Sequence, residues 1–260
     1  MTLWQGIVLG LVQGLTEFLP VSSSGHLVVV EGLTGVKVPG VFVEVALHAA
    51  TLGSVLVLYG RRLWEIARGA VRGDGAALRA VALLTVATIP AGVVGGLYHE
   101  TIEREFHSLV FVGAGFVITG FVLWSTRRLQ GDRGAPGYGG ALGIGLAQAV
   151  AVLPGISRSG STVSAALWAR LAPVGAAEFS FLMAVPVIAG AVVLEGRHAT
   201  VELGTVGVIP LAVSCAVALV SGIWSIRFLV ALLRRGRFHA FAPYCWCLGA
   251  LTLAYALWRP

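Results

Sequence analysis

The sequence predicts an all-α integral membrane protein, with six transmembrane helices and two re-entrant helical hairpins in an inverted-topology repeat. Three observations predict this fold class: an apolar composition, six long apolar runs, and two further apolar stretches that are each interrupted midway. Of the 260 residues, 57% are apolar and 12% are charged, whereas ordinary soluble domains carry about 25% charge. The composition therefore argues against a soluble protein.

The positive charge of the chain agrees with a membrane location. The formal net charge is +6, and most of the basic residues are arginines that lie between apolar runs. That pattern is typical of topology signals and of contact with anionic membrane lipids. It does not favour binding to nucleic acid.

Six apolar runs are long enough to cross a bilayer, which takes about 20 residues per helix. Arginines cluster after the first, third and fifth runs, and the positive-inside rule places these three connections in the cytoplasm. We therefore predict a multi-pass protein of the cytoplasmic membrane with both termini outside. The predicted spans are residues 42–60, 80–98, 108–126, 175–194, 205–225 and 240–258.

Two apolar stretches, residues 3–36 and 140–171, are broken midway by Pro, Gly and Ser. A complete crossing by either one would move the later arginine clusters to the other side, so each stretch is predicted to enter and leave on one face. Broken helices are tolerated at membrane depth only where protein or a water-filled cavity surrounds the open backbone. The two breaks are therefore the first places to look for function.

The two breaks resemble each other in sequence, Leu19–His26 in the first and Leu153–Gly160 in the second, and their matching serines and glycines are 135 positions apart. This similarity predicts one membrane domain, 1–260, made of two repeats, about 1–126 and 140–260. Each repeat holds an odd number of spans, so the second copy is predicted to be inverted, with the two hairpin tips meeting near the midplane.

The first break carries several polar residues. Gln13 and Glu17 share one helix face by their spacing of four, and an ionised Glu in the bilayer costs about 2.5–3.5 kcal/mol unless it is paired, hydrated, bound to a cation or functional. The serines Ser22–Ser24 allow close helix approach or, with His26 at a helix start, form an anion cradle with a nucleophile and a base. His26 is near enough to Ser23 in a turn to share a hydrogen bond, although a packed histidine is the alternative.

The second break supplies a cation, because Arg158 lies between Ser157 and Ser159 and Thr162 follows in the next helix. Arginine forks onto phosphate oxygens, and such charge-assisted hydrogen bonds contribute roughly 1.5–3 kcal/mol each. This pattern favours a phosphate site. The alternative is a structural ion pair of Arg158 with Glu17 or Glu178.

Other polar residues are left outside the predicted catalytic set. Glu44 and Glu178 either orient the hairpins, hold a cation or hydrogen-bond to hairpin backbone. His48 and Gln148 either line the same cavity or pack between helices, and packing is the preferred interpretation. The three cysteines are interpreted as small buried apolar side chains.

These motifs resemble those of the undecaprenyl-pyrophosphate phosphatase, or bacitracin-resistance, family. The first family motif, a Glu or Gln, three residues and a Glu, followed by Pro-Val-Ser-Ser-x-Gly-His, matches Gln13–His26. The second, Pro-Gly-x-Ser-Arg-Ser-Gly-x-Thr, matches Pro154–Thr162. The similarity continues through Glu178–Leu182 and covers nearly the whole chain.

The resemblance implies hydrolysis of undecaprenyl pyrophosphate to undecaprenyl phosphate and inorganic phosphate at the outer face of the membrane, which recycles a lipid carrier for cell-envelope glycans. It also implies a divalent cation, Mg²⁺ or Ca²⁺. Ser23 would then be the nucleophile, His26 the base or phosphate-polarising group, and Glu17 a base or metal ligand. The residues predicted to contact the pyrophosphate are Arg158, Ser157, Ser159, Thr162, Ser22 and Gln13.

The sequence leaves alternatives open for the metal site, the nucleophile and the function. Many family members have Glu where this chain has Gln13, so a metal site with two carboxylates is in doubt. A water activated by Glu17 could replace Ser23 as the nucleophile. A polyprenyl-phosphate flippase or transporter is the alternative function, because inverted repeats with broken helices are also a transporter architecture. The sequence is compatible with a homodimer.

Overall fold

A computed structural model of the chain describes residues 1–34, 40–106, 108–195 and 206–258. These residues form α-helices with connecting turns, and no strand occurs among them beyond one isolated bridge between Arg133 and Leu171. The helices of the described part are α1 (Leu3–Phe18), α2 (Ser23–Thr34), α3 (Gly40–Val71), α4 (Gly75–Phe106), α5 (Leu109–Ser125), α6 (Tyr138–Val150), α7 (Arg158–Trp168), α8 (Pro173–Glu195), α9 (Val208–Arg234) and α10 (Ala242–Trp258), with a short 3₁₀ helix at Phe238–Phe241.

The long helices coincide with the predicted spans. Five helices in the described residues are long and apolar enough to cross a membrane, and Leu109–Ser125 is a shorter apolar helix in the place of the third predicted span. The all-α membrane fold is therefore confirmed. The number of crossings and their direction stay predictions. The five segments are Val43–Val71, Gly75–Leu97, Pro173–Gly190, Val208–Arg234 and Phe238–Trp258.

Two of these helices run well past the predicted spans on the arginine-rich side. The first span was predicted to end at residue 60, but α3 continues to Val71 through Arg61 and Arg62. Similarly, α9 continues to Arg234. Arginine is a good helix former, so a helix need not stop where its apolar run stops. The predicted outer segment after Glu195 lies outside the described residues.

Both predicted interruptions occur. In the first, α1 ends at Phe18, and Leu19 is extended with φ −65° and ψ 146°, as expected for a residue that precedes a proline. With 16 residues, α1 is about 24 Å long, most of the roughly 30 Å hydrocarbon core. The length of α1 is therefore compatible with the prediction that the first break lies deep in the membrane.

A face of small residues lets α1 pack closely on α9. Side chains at Gly6, Gly10 and Gly14 would collide with atoms of α9, largely its backbone carbonyls. The hydroxyl of Ser225 on α9 also donates to the carbonyl of Leu15 at 2.6 Å. Small interface residues are a common means of helix association in membranes.

The second half packs in a corresponding way, since α6 lies on α4. There Gly145, 135 positions after Gly10, meets the backbone of Ala87. In the predicted repeat, α6 corresponds to α1 and α4 corresponds to α9. The α6–α4 pair is therefore the counterpart of the α1–α9 pair, which agrees with the repeat. The repeat boundaries and the inverted orientation stay predictions.

The helices α5 and α10 pack on each other, and each forms hydrogen bonds with one of the two breaks. Thr119 of α5 accepts a hydrogen bond from the Ser157 amide at 3.0 Å and donates to the Gly155 carbonyl at 3.2 Å. Cys245 of α10 donates to the Pro20 carbonyl at 3.6 Å. Of the cysteines, Cys245 is buried as predicted, whereas Cys247 is exposed because it lies on the outer face of α10.

Candidate active site

The two breaks meet at an ion pair between a partly buried arginine and a buried glutamate. Arg158, the first residue of α7, donates from Nη2 to Oε1 of Glu17 near the end of α1, at 2.6 Å. Beside this pair, the Ser159 hydroxyl donates to the Leu19 carbonyl at 3.0 Å. The two breaks are therefore in contact, as predicted, and Arg158 pairs with Glu17 instead of Glu178. The re-entrant course of the two stretches and the depth of the contact in the membrane stay predictions.

Glu17 is the centre of a polar cluster within an apolar bundle. Its other carboxylate oxygen, Oε2, accepts hydrogen bonds from the Ser23 hydroxyl at 2.6 Å and from the Gln13 amide at 2.9 Å. His48 Nε2 lies 3.5 Å from the same oxygen. Glu17 is only 5% exposed. A buried carboxylate that accepts this many hydrogen bonds is stabilised in its ionised form.

The Ser23 hydroxyl donates its hydrogen bond to Glu17 and not to His26, so the contact that the spacing of His26 and Ser23 predicts does not form. His26 Nδ1 lies 2.7 Å from the Ser22 carbonyl, and Nε2 lies 2.7 Å from the Tyr244 hydroxyl. Both ring nitrogens are therefore engaged away from Ser23. The reason is local geometry: the imidazole folds back toward the turn that precedes α2, while Ser23, the first residue of that helix, faces α1.

The first residues of α2 and α7 occupy equivalent places. Ser157 caps α7, because its hydroxyl accepts a hydrogen bond from the Gly160 amide at 3.0 Å. Ser22 precedes α2 with φ +65°, in the left-handed region that costs a residue with a side chain about 1–3 kcal/mol. The partial positive charges of both helix N-termini favour an anion nearby. Ser23 and Arg158 thus start two helices whose first turns meet at one carboxylate.

Other predicted phosphate contacts already have partners within the protein. Ser157 caps α7, and Ser159 donates to the first hairpin. The Thr162 hydroxyl donates to the Arg158 carbonyl at 2.8 Å and lies 2.6 Å from the Ser180 hydroxyl. All three predicted residues are buried. Their contacts shape the second break, and their direct contact with a phosphate stays a prediction.

For His48 of α3 the structure shows the less favoured of the two predictions, a place in the cluster instead of packing. Its Nε2 lies near the Glu17 carboxylate and its Nδ1 lies 2.9 Å from the Glu44 carbonyl. A histidine in an apolar helix does not by itself distinguish the two. Glu178 is placed differently from prediction: it accepts a hydrogen bond from Arg62 Nε at 3.0 Å, outside the Glu17 cluster.

The cluster offers few ligands to a divalent cation. Gln13 Oε1 is buried without a hydrogen-bond partner in the described residues, and it lies beside the Glu17 carboxylate. Both are hard oxygen donors of the kind that Mg²⁺ and Ca²⁺ prefer. No group of three or more His, Cys, Asp or Glu side chains suited to a metal occurs in the described part of the chain. The residues therefore fit a cation that takes most of its ligands from water and a bound diphosphate.

Comparison with known proteins agrees with the two motifs. The family described as "Bacitracin resistance protein BacA" matches residues 6–251. An undecaprenyl-diphosphatase of Desulfosudis oleivorans is 41% identical over 96% of this chain and 97% of its own length. Undecaprenyl-diphosphatases of Desulfatibacillum aliphaticivorans, 38% identical over 95% of this chain and 96% of theirs, and of Thermomicrobium roseum, 38% identical over 97% and 98%, are also similar. The family that the motifs predicted is thereby confirmed: this chain belongs to the bacitracin resistance protein BacA family.

Proposed function

We propose that this chain hydrolyses undecaprenyl diphosphate to undecaprenyl phosphate and inorganic phosphate, with the Glu17 cluster as its active centre. The substrate class follows from the names of the relatives, which match the chain over nearly its full length. One observation carries the choice of site: the Ser23 hydroxyl donates at 2.6 Å to a carboxylate that also binds Arg158. That arrangement joins a nucleophile, a base and a phosphate-binding cation.

In the first step, Ser23 Oγ attacks the terminal phosphorus while its proton passes to Glu17. A bond forms between phosphorus and Oγ, and the bond from phosphorus to the bridging oxygen breaks. Glu17 gives the proton to the departing undecaprenyl phosphate. In the second step, a water deprotonated by Glu17 attacks the phosphoserine, inorganic phosphate leaves, and Ser23 regains a proton.

The alternative in which Glu17 directly activates a water has less support from the geometry. The Ser23 hydroxyl already occupies Oε2 of Glu17, which is where such a water would bind. A serine held at hydrogen-bond distance from its base is the arrangement that covalent catalysis requires.

Arg158 has a double role in this proposal. Only its Nη2 is used by Glu17, and a guanidinium has five N–H donors in all, so the others can bind the diphosphate. Phosphoryl transfer depends chiefly on such positioning and electrostatic stabilisation.

A divalent cation, Mg²⁺ or Ca²⁺, would offset charge on the diphosphate when bound. Gln13 Oε1 and the Glu17 carboxylate are the protein groups that would hold it. The polyprenyl tail would lie along an apolar groove between the membrane helices. We place the protein in the cytoplasmic membrane on the distribution of its arginines, and we place the opening of the site at the outer face on the family resemblance.

Phosphate release from a polyprenyl diphosphate by the purified protein in detergent tests the proposal. We expect release that depends on a divalent cation and falls when a chelator is added. No release from a polyprenyl diphosphate with either Mg²⁺ or Ca²⁺ would refute the hydrolase. Movement of polyprenyl phosphate across vesicles without any phosphate release would support the transporter instead.

A further inference from the structure

His26 is held by a residue 218 positions away in the chain. Its Nε2 lies 2.7 Å from the hydroxyl of Tyr244 on α10. The two rings are nearly parallel, at 7° with centroids 5.8 Å apart, and the edge of Phe116 closes another side of the imidazole at 5.3 Å. Tyr244 itself is 48% exposed. It therefore reaches the partly buried His26 from the outer surface of the bundle.

These contacts define the protonation of the ring. A carbonyl oxygen can only accept a hydrogen bond, so Nδ1, which is 2.7 Å from the Ser22 carbonyl, carries the hydrogen. In a neutral imidazole the other nitrogen then has the lone pair, and Tyr244 donates its hydroxyl hydrogen to Nε2. Among the described residues, no charged side chain forms a hydrogen bond or ion pair with this ring.

We propose that Tyr244 is a positioning residue for the phosphatase reaction, acting through His26. Tyr244 keeps the imidazole in its Nδ1–H form, and Nδ1–H in turn holds the carbonyl of Ser22, the residue with φ +65° immediately before Ser23. The left-handed turn sets the direction of the Ser23 hydroxyl toward Glu17. This inference rests on the proposed function, and it extends the site to α10, where no motif had pointed.

The test is a double-mutant cycle. Tyr244→Phe removes one hydrogen bond between neutral groups, and we expect kcat to fall about 3- to 10-fold with KM nearly unchanged. His26→Asn places an N–H donor where Nδ1 was and should retain more activity than His26→Gln. In the His26→Asn background, Tyr244→Phe should have no further effect. Tyr138→Phe, at an exposed tyrosine of α6, is the matched control.

A spectroscopic readout separates this inference from the proposed function. In protein labelled with ¹⁵N at histidine, His26 should show the Nδ1–H tautomer without substrate, and Tyr244→Phe should shift it toward a mixture. Wild-type kcat in Tyr244→Phe, or an equal loss in the His26→Asn background, would overturn the role of Tyr244 while phosphate release by the wild type stands. An Nε2–H tautomer in the wild type would overturn it even if the protein proved to have another activity.

A cavity of about 440 Å³ lies between α3, α8 and α9 and includes none of the predicted site residues. Its walls are aliphatic, and its polar groups belong to Tyr59, Arg227 and Arg234. The two arginines are seven residues apart on α9, so they lie on the same face about 10 Å apart along the axis.

Neither Arg227 nor Arg234 forms a hydrogen bond or ion pair with any described residue, whereas the nearby Arg62 is paired with Glu178 at 3.0 Å. The surface beside the cavity carries exposed aromatic rings, including the stacked pair Trp224 and Phe228, which are 55% and 39% exposed. Such rings are typical of the level where a membrane protein meets lipid headgroups. Basic pockets between membrane helices bind anionic lipid headgroups.

We infer that this cavity binds the phosphate headgroup of an anionic phospholipid, whose chains lie on the adjoining apolar surface. Protein in bilayer discs of mixed phosphatidylglycerol and phosphatidylcholine is extracted, and the lipids that stay bound are counted by native mass spectrometry. We expect a preference for phosphatidylglycerol that falls about five-fold or more in Arg227→Gln/Arg234→Gln, because each basic residue near the membrane surface strengthens the binding of an anionic lipid.

The matched control is Arg128→Gln/Arg237→Gln, which removes the same charge from exposed arginines that do not line the cavity. This control should keep the preference. An equal loss of the preference in both double variants would mean that net charge alone attracts the lipid, and it would overturn the site. Competition by inorganic phosphate that removes phosphatidylglycerol completely would mean a phosphate ion site and overturn the lipid assignment.

Discussion

Replacement of Arg158 by lysine tests the geometry of the site directly. The guanidinium bonds to Glu17 through Nη2 at 2.6 Å and keeps its other donors for substrate. An ammonium can still pair with Glu17 as a point charge, but it cannot also fork onto a diphosphate. Each charge-assisted hydrogen bond lost costs about 1.5–3 kcal/mol, and a single one corresponds to about a 10- to 150-fold fall in kcat/KM.

The assay is phosphate release from a polyprenyl diphosphate in detergent, with initial rates measured over a range of substrate concentrations. Arg62→Lys is the matched control, because Arg62 also pairs with a glutamate, Glu178, at 3.0 Å but at a site where both side chains are partly exposed. Exposed pairs contribute about 0–1 kcal/mol, so this variant should keep nearly full activity. If Arg158→Lys turned over substrate at close to the wild-type rate, Arg158 would be structural and the proposed phosphate clamp would be wrong.

Three further predictions test the nucleophile, the cation and the packing. Ser23→Ala should reduce turnover about 10³-fold or more and abolish trapping of labelled phosphate on the protein, while Ser24→Ala should keep both; full activity in Ser23→Ala would eliminate the covalent route. Gln13→Glu puts a second carboxylate beside Glu17, so half-maximal activity should need less Mg²⁺ than in the wild type; an unchanged Mg²⁺ titration would place the cation elsewhere. Gly14→Ala should lower the melting temperature, because its new methyl group meets α9 and overpacking costs about 1–3 kcal/mol; Gly143→Ala, where a methyl group meets nothing within 4 Å, should not.

Hydropathy and the proline- and serine-rich breaks were sufficient to predict the fold class. Long apolar runs in a chain of this composition indicate membrane helices, and Pro20 together with the serines and the glycine that follow it indicates a break. A proline alone does not, since Pro90 and Pro186 lie inside α4 and α8. The ends of the helices were less predictable. The apolar run ends at residue 60, yet α3 continues to Val71, because intrahelical hydrogen bonds persist where a helix enters water. Hydropathy predicts which residues lie in the membrane, but it does not predict where the hydrogen bonds of the helix backbone end.

The site was predictable where its residues lie within the two motifs and not where they lie outside them. The contact between the two breaks followed from their similarity, whereas the Arg158–Glu17 pair was one of two partners named in the structural alternative. The contact of Tyr244 with His26 has no signal in the sequence, and the place of His48 beside Glu17 was the less favoured of two predictions, because both residues reach the site only through packing of α3 and α10. The prediction also chose the wrong partner for Ser23: sequence spacing gives proximity along a helix, but the side chain of His26 turns back to Ser22.

The departures from symmetry explain how two similar breaks make one site. Ser23 and Arg158 are 135 positions apart, and each is the first residue of a helix that follows a serine. One break therefore contributes a hydroxyl at the position where the other contributes a guanidinium, and the two meet at Glu17, which lies in the first hairpin only. A fully symmetric pair would bring two like groups to the same carboxylate, either two hydroxyls without a cation or two cations without a nucleophile. Divergence at two positions, Ser23 against Arg158 and Glu17 against Val152, puts complementary chemistry at the contact between the hairpins.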